Sequence, residues 1–163
     1  MLVIRPALAL LFLAAPAAAQ SAVPDAVAAP GETVVLAVHA EGAQVYECAA
    51  GEGGRLAWRF REPVATLLKD GRTVGRHYAG PTWELADSSI VEGKVVSRAP
   101  GAGPQDIPLL KLAVAAHRGS GALGAATTVQ RLATSGGALE GPCETAGATR
   151  AVAYAADYVF LKR

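Results

Sequence analysis

The sequence predicts an all-β fold, a single-domain antiparallel β-sandwich or barrel with Gly/Pro-rich loops. Short apolar runs recur at roughly 8–15-residue spacing, and several alternate with the two-residue period of a half-buried strand. Gly, Pro and Asp punctuate the gaps between them, drawn from 18 glycines and 10 prolines. No stretch sustains the 3.6-residue period of a long amphipathic helix, although the many alanines favour helix locally.

Residues 1–19 read as a secretory signal peptide. Arg5 is the positive n-region, residues 7–15 are an unbroken apolar run, and Ala17-Ala18-Ala19 is a small-residue cleavage site. Gln20 is then the first mature residue. Residues 20–32 are small and Pro-punctuated, an extended lead-in rather than a packed element. Residues 33–163 form the β-domain. Residues 33–40 are a β-branched, apolar run, and 44–48 follow as a second strand. In residues 56–61 Leu56, Trp58 and Phe60 share one face, with Arg59 and Arg61 on the other. Asp70-Gly71 marks a hairpin between residues 65–68 and 73–78. Gly80-Pro81 and Asp87-Ser88-Ser89 mark the next two boundaries. Residues 90–98 are another strand, 99–106 a loop, and 109–116 an apolar run that periodicity alone leaves as strand or helix. Residues 129–134 and 151–161 are the last strands. Mixed apolar faces in 151–161 suggest a central strand buried on both sides.

Bulk properties exclude several function classes. The 15 basic and 14 acidic residues become 14 and 14 once Arg5 is removed, so no basic stripe exists to follow a nucleic acid. The mature chain holds no apolar segment of the ~20 residues a spanning helix needs. A transmembrane barrel fits poorly, because its spacers would be Pro-rich and its strand faces carry arginine. The expected location is therefore export, periplasmic or secreted. Its two cysteines, Cys48 and Cys143, are expected to pair in an oxidising compartment. A loop of about 95 residues closed this way is worth roughly 4–5 kcal/mol in the chain-entropy treatment. A metal pair or a reactive thiol is the alternative, without a CxxC spacing or adjacent base to support it.

Gly119-Ser120-Gly121-Ala122-Leu123-Gly124 matches G-x-G-x-x-G, with Glu140 at a suitable distance. Only 39 residues follow Gly124, too few for the rest of a dinucleotide-binding domain. Thr127-Thr128-Val129 then favours strand over helix. The motif reads as a Gly-rich hairpin loop, and no cofactor is expected.

The densest polar and aromatic stretch runs from Arg76 to Glu84 and closes with Asp87. As a ligand site, Tyr78 and Trp83 form a stacking wall for a glycan or small aromatic molecule, while His77, Glu84 and Asp87 supply polar contacts. As structure, Trp83 fills the core, and His77 and Glu84 satisfy backbone around a turn. His39, His77 and His117 with Glu84 show no compact metal-ligand spacing, and no metal site is expected. No G-x-S-x-G elbow is present. A paired-carboxylate glycosidase could use Glu84 and Asp87, which lie three residues apart across a turn. Gln130 and Arg131 are either polar groups on a ligand face or a solvent-facing or ion-paired stretch of strand.

Several stretches resemble a known family. They are Gly42-Ala43-Gln44-Val45-Tyr46-Glu47-Cys48, Trp58, Glu62-Pro63-Val64-Ala65-Thr66-Leu67 and His77-Tyr78-Ala79-Gly80-Pro81-Thr82-Trp83-Glu84. Further along come Ile107-Pro108-Leu109-Leu110, Val129-Gln130-Arg131, Thr134-Ser135-Gly136-Gly137, Cys143 and Tyr154-Ala155-Ala156-Asp157-Tyr158. Together they resemble domain-of-unknown-function family 3455, exported bacterial and fungal proteins of which some carry a malate dehydrogenase label. The resemblance implies one exported domain with paired cysteines and no assigned reaction. The dehydrogenase label is not supported, since no nucleotide fold or Asp-His-Arg set is present. Leu109 stands where the family pattern has Trp, and Ser88 where it has Gly. The expected function is a non-catalytic binding or envelope-associated module. The alternatives are a hydrolase-like enzyme using His77 and Glu84, and a structural or surface-interaction protein.

Overall fold

The computed structural model describes residues 23–163. The expected signal peptide and its Gln20 cleavage point lie outside the described residues. Eight strands are present among them: β1 Thr33–Ala50, β2 Leu56–Lys69, β3 Arg72–Tyr78, β4 Thr82–Leu85, β5 Ile90–Ala99, β6 Leu109–Arg118, β7 Thr128–Gly136 and β8 Thr149–Lys162. Each pairs antiparallel with its chain neighbours and β8 returns to β1, giving a closed up-and-down barrel. Of the two predicted architectures, the barrel is the one adopted.

The alternation seen in the sequence becomes an inside and an outside. Tyr154, Gly42, Ala65, His77, Trp83 and Val91 are register partners in turn across β8, β1, β2, β3, β4 and β5, forming an interior belt. Gly93 makes room for the indole: a Cβ there would meet Trp83 Cζ3 at 2.9 Å and Leu112 Cδ2 at 3.1 Å. Ion pairs lie on the outer surface, including Arg76–Glu84 and Arg118–Glu92. No helix among the described residues is long and apolar enough to cross a membrane.

Several local expectations change. Residues 33–40 and 44–48 are one continuous 18-residue strand, because Gly42 lies close against Ala65 of β2 instead of turning. Residues 109–116 are strand, not helix. Asp70-Gly71 does form the β2–β3 turn, both residues with positive φ. β8 is buried on one face only. Tyr154, Ala156, Tyr158 and Phe160 point in, while Ala153, Ala155, Asp157 and Val159 lie on the partly exposed outer face of a single-layer barrel. Residues 23–32 include one 3-10 turn, Asp25–Val27, with Val27 fully buried. Gln130 Nε2 donates to Val27 O at 2.6 Å and Lys111 Nζ to Ala28 O at 2.9 Å, holding this segment on the barrel wall.

The two ends of the barrel differ. The β6–β7 connection, which contains the G-x-G-x-x-G sequence, folds Leu123 and Ala126 into the core and plugs one end. The other end carries the β1–β2, β3–β4, β5–β6 and β7–β8 loops. There the Cys48–Cys143 disulfide joins β1 to the β7–β8 loop, with Cα atoms 5.9 Å apart. That loop is laid along the strand ends by Trp58 N–H to Gly141 O and Cys48 N–H to Ala148 O hydrogen bonds.

Candidate functional site

The unplugged end opens into a cavity of about 630 Å³, within the range of small-molecule sites. Strand alternation selects most of its lining, except on β2, where the consecutive residues Trp58, Arg59, Phe60 and Arg61 all border it beside a register irregularity with β1. From β1 come Gln44 and Tyr46, from β2 Trp58 and Phe60, from β3 and β4 His77 and Trp83, from β6 Leu110 and Leu112, and from β7 and β8 Arg131 and Tyr158. The β5–β6 and β7–β8 loops add Ile107, Pro108, Leu139 and Glu140.

The floor is aromatic. His77 and Trp83 stack with ring centroids 4.6 Å apart and planes 8° apart, and Tyr158 meets both edge-on. His77 Nδ1 lies 2.8 Å from Thr82 O, which accepts its proton and leaves Nε2 with the lone pair. Burial pushes the His77 pKa down to about 4, so the ring is neutral at pH 7. Such an imidazole is an acceptor and a surface to pack against, but a weak general base at that pH.

A polar strip climbs one wall. Gln44 is only 2% exposed, and its Nε2 faces the Tyr154 hydroxyl without a hydrogen bond shorter than 3.5 Å among the described residues. The Tyr154 and Tyr158 hydroxyls are 3.5 Å apart, and burial raises the pKa of both above the ordinary phenol value. Arg131 Nε and Nη2 donate to Pro108 O at 3.0 and 2.8 Å. Tyr46 OH donates to Gly137 O at 2.7 Å, fixing the ring under the rim.

The five residues singled out in the sequence separate in space. His77 and Trp83 face the cavity. Tyr78 and Glu84 are on the outer face of the same two strands, where Tyr78 OH donates to Glu84 Oε2 at 2.9 Å. The Arg76 guanidinium donates to the same carboxylate and lies 5.2 Å from the Tyr78 ring centroid. Hydrogen bonds from Arg76 and Tyr78 hold the Glu84 carboxyl below its ordinary pKa. Asp87 sits at the plugged end, where its carboxylate accepts from the Ser89 hydroxyl and the Ala122 N–H, and these bonds lower its pKa. His77 and Glu84 therefore point to opposite sides of the sheet and do not converge on one substrate atom. Glu84 and Asp87 do not share a cleft. The histidines are also apart: His39 Nδ1 is 2.7 Å from Asp157 Oδ1, and His117 Nε2 is 2.8 Å from Ala126 O. Among the described residues no group of three or more His, Cys, Asp or Glu side chains could hold a metal ion.

Sequence reasoning did not gather Gln44, Tyr46, Arg98 and Arg131 into a site. The signal lay in the alternation. Once the sheet closes, every second residue of β1, β7 and β8 must face the same interior as His77 and Trp83.

Residues 28–162 match the family model described as protein of unknown function (DUF3455), and the chain belongs to that family. No curated protein and no solved structure matches it.

Proposed function

We infer that this member of the DUF3455 family is an exported, non-catalytic binding module that takes a small molecule into the open end of its barrel. The observation that carries the reading is the 630 Å³ cavity over the His77–Trp83–Tyr158 floor. Small closed barrels have interiors wide enough for one such ligand. Aromatic walls with a few buried polar groups are the usual composition of a site that holds an apolar body in one orientation. Gln44 adds a buried amide donor with only a long contact to the Tyr154 hydroxyl, a group whose desolvation a ligand acceptor would offset. Export is supported by the leader-like residues 1–19 and by the Cys48–Cys143 bond, which persists in oxidising compartments. The charged outer surface supports a barrel that faces water.

Leu110 lines the cavity from β6 and is partly buried. Leu110→Trp fills part of the space. The expected result is a native melting temperature with at least tenfold weaker binding of small aromatic and acyl compounds, read by tryptophan fluorescence and calorimetry. Undiminished binding in a folded Leu110→Trp protein, or no binding by the native protein across such compounds, contradicts the proposal.

A further inference from the structure

We propose that the ligand of this cavity is a carboxylate with a flat aromatic body, its acid group held at Arg131 and its ring against Trp58 and Phe60 above the aromatic floor. The inference rests on the small-molecule reading above and adds the chemical class.

Four arginines line the cavity, Arg59, Arg61, Arg98 and Arg131, against one carboxylate, Glu140. Arg61 is already paired with Glu62, its Nη2 2.6 Å from Oε1. Arg98 and Arg131 have no carboxylate partner among the described residues. Both share the inward face, since Arg98 pairs with Leu110 and Leu110 with Arg131 in the strand registers. Arg131 continues the row to Tyr158, and its guanidinium spans from the Pro108 carbonyl of the β5–β6 loop to the Tyr158 hydroxyl.

That charge pervades the site. It acts on Tyr46, His77, Tyr154 and Tyr158, lowering the pKa of each against the effect of burial or adding to it. The Pro108 carbonyl takes two of its N–H groups, but a carbonyl oxygen does not neutralise a guanidinium. A half-buried cation over an apolar floor is incompletely compensated, and a ligand anion would compensate it. Guanidinium matches carboxylate in shape as well as charge. The Gln44 Nε2, held only by a long contact to the Tyr154 hydroxyl, is a second donor in the barrel interior. Selectivity for acids over their neutral analogues follows, because a neutral ligand would bury Arg131 without neutralising it. The flat body follows from the accessible aromatic lining, Trp58 and the exposed Phe60 ring, which Tyr46 meets edge-on at 5.8 Å; the His77–Trp83 pair beneath is stacked on itself and closes the bottom of the cavity.

The test compares 2-naphthoate with 2-naphthamide, two probes with one ring system that differ in charge at pH 7. Binding of each to the oxidised protein is measured by calorimetry, for native protein, Arg131→Lys and Arg131→Met. Native protein is expected to bind the carboxylate at least tenfold more tightly than the amide. Arg131→Lys should keep most of that ratio, and Arg131→Met should bring it to about one. Raising the salt concentration should narrow the native ratio, since the guanidinium is only partly buried. Equal binding of both probes by native protein overturns the inference and leaves the small-molecule reading intact. Binding of neither overturns both. If Arg131→Met fails to fold, the native ratio and Arg98→Met decide: the rim arginine should change the ratio less than threefold, and a complete loss on Arg98→Met would overturn the assignment to Arg131.

Discussion

His77 is held by a carbonyl that takes its Nδ1 proton, an indole stacked on its face and a phenol at its edge. Burial makes the charged form costly and outweighs the Thr82 carbonyl, whose hydrogen bond favours it. Its folded pKa of about 4 lies below the unfolded value near 6.5. Between those values the unfolded chain binds the extra proton, so stability rises with pH. The contribution is fully present above pH 6.5 and is lost as pH falls through that window, amounting to on the order of 3 kcal/mol by pH 4. His77→Phe keeps a ring on Trp83 but removes the titration. Melting temperatures of native protein should fall between pH 6.5 and 4 more steeply than those of His77→Phe. Parallel profiles would show that His77 is not held neutral.

The sequence placed His77 and Trp83 next to each other and flagged both, yet it equally flagged Tyr78 and Glu84. The difference between them is a half-turn of strand pleat. Residues one apart in a strand face opposite ways, and a stretch broken by Gly80-Pro81 does not reveal its register. The four-residue strand β4 was invisible for the same reason: Thr82–Leu85 is too short for alternation to register.

At the scale of elements, the loops and the disulfide determine what the mouth looks like. Cys48 lies on the inner side of β1 two residues beyond Tyr46, and Cys143 is on the loop that also presents Leu139 and Glu140 to the cavity. The bond therefore fixes a wall of the site as well as closing a loop of 95 residues. Cysteine count and compartment were enough to expect the pair, but not to show that it borders a cavity. Cys48→Ser/Cys143→Ser should lower unfolding free energy by roughly 3–4 kcal/mol, about 10 °C in melting temperature for a domain of this size. It should also weaken binding at the mouth at temperatures where the protein remains folded. Unchanged affinity in the folded double variant would separate the disulfide from the site and leave it only a stabilising role.

Arg131 and Gln130 show the limit of reading single elements. Side by side in β7, they were indistinguishable as polar residues in an apolar strand. Their fates diverge because the sheet closes: Gln130 holds the N-terminal segment against the outer wall and Arg131 enters the cavity.

For the molecule as a whole, closure is the step from which the site follows. An open sandwich would have packed the inner faces of its two sheets together and left no interior beyond the packed core. A barrel of eight strands plugged at one end by Leu123 instead divides its interior into a packed half and an open half. Strand existence was legible in the alternating runs, whereas closure depends on β1 pairing with β8 across more than a hundred residues, a contact no local pattern encodes. On the outer face of β3 and β4, Arg76, Tyr78 and Glu84 are bound to one another as a satisfied polar cluster.

The two tryptophans make this division measurable, since Trp58 lies at the mouth and Trp83 on the floor. The most direct measurement is a titration of uniformly nitrogen-15-labelled protein with 2-naphthoate and, separately, 2-naphthamide, followed by proton–nitrogen correlation spectra. If small molecules enter the barrel, both indole N–H signals and the Gln44 side-chain amide should shift together and saturate, while the backbone amides of Arg76 and Glu84 stay within a small fraction of that change. Shifts confined to the outer face, or an unmoved Trp83 indole at saturating ligand, would contradict the assignment of the barrel interior as a binding site.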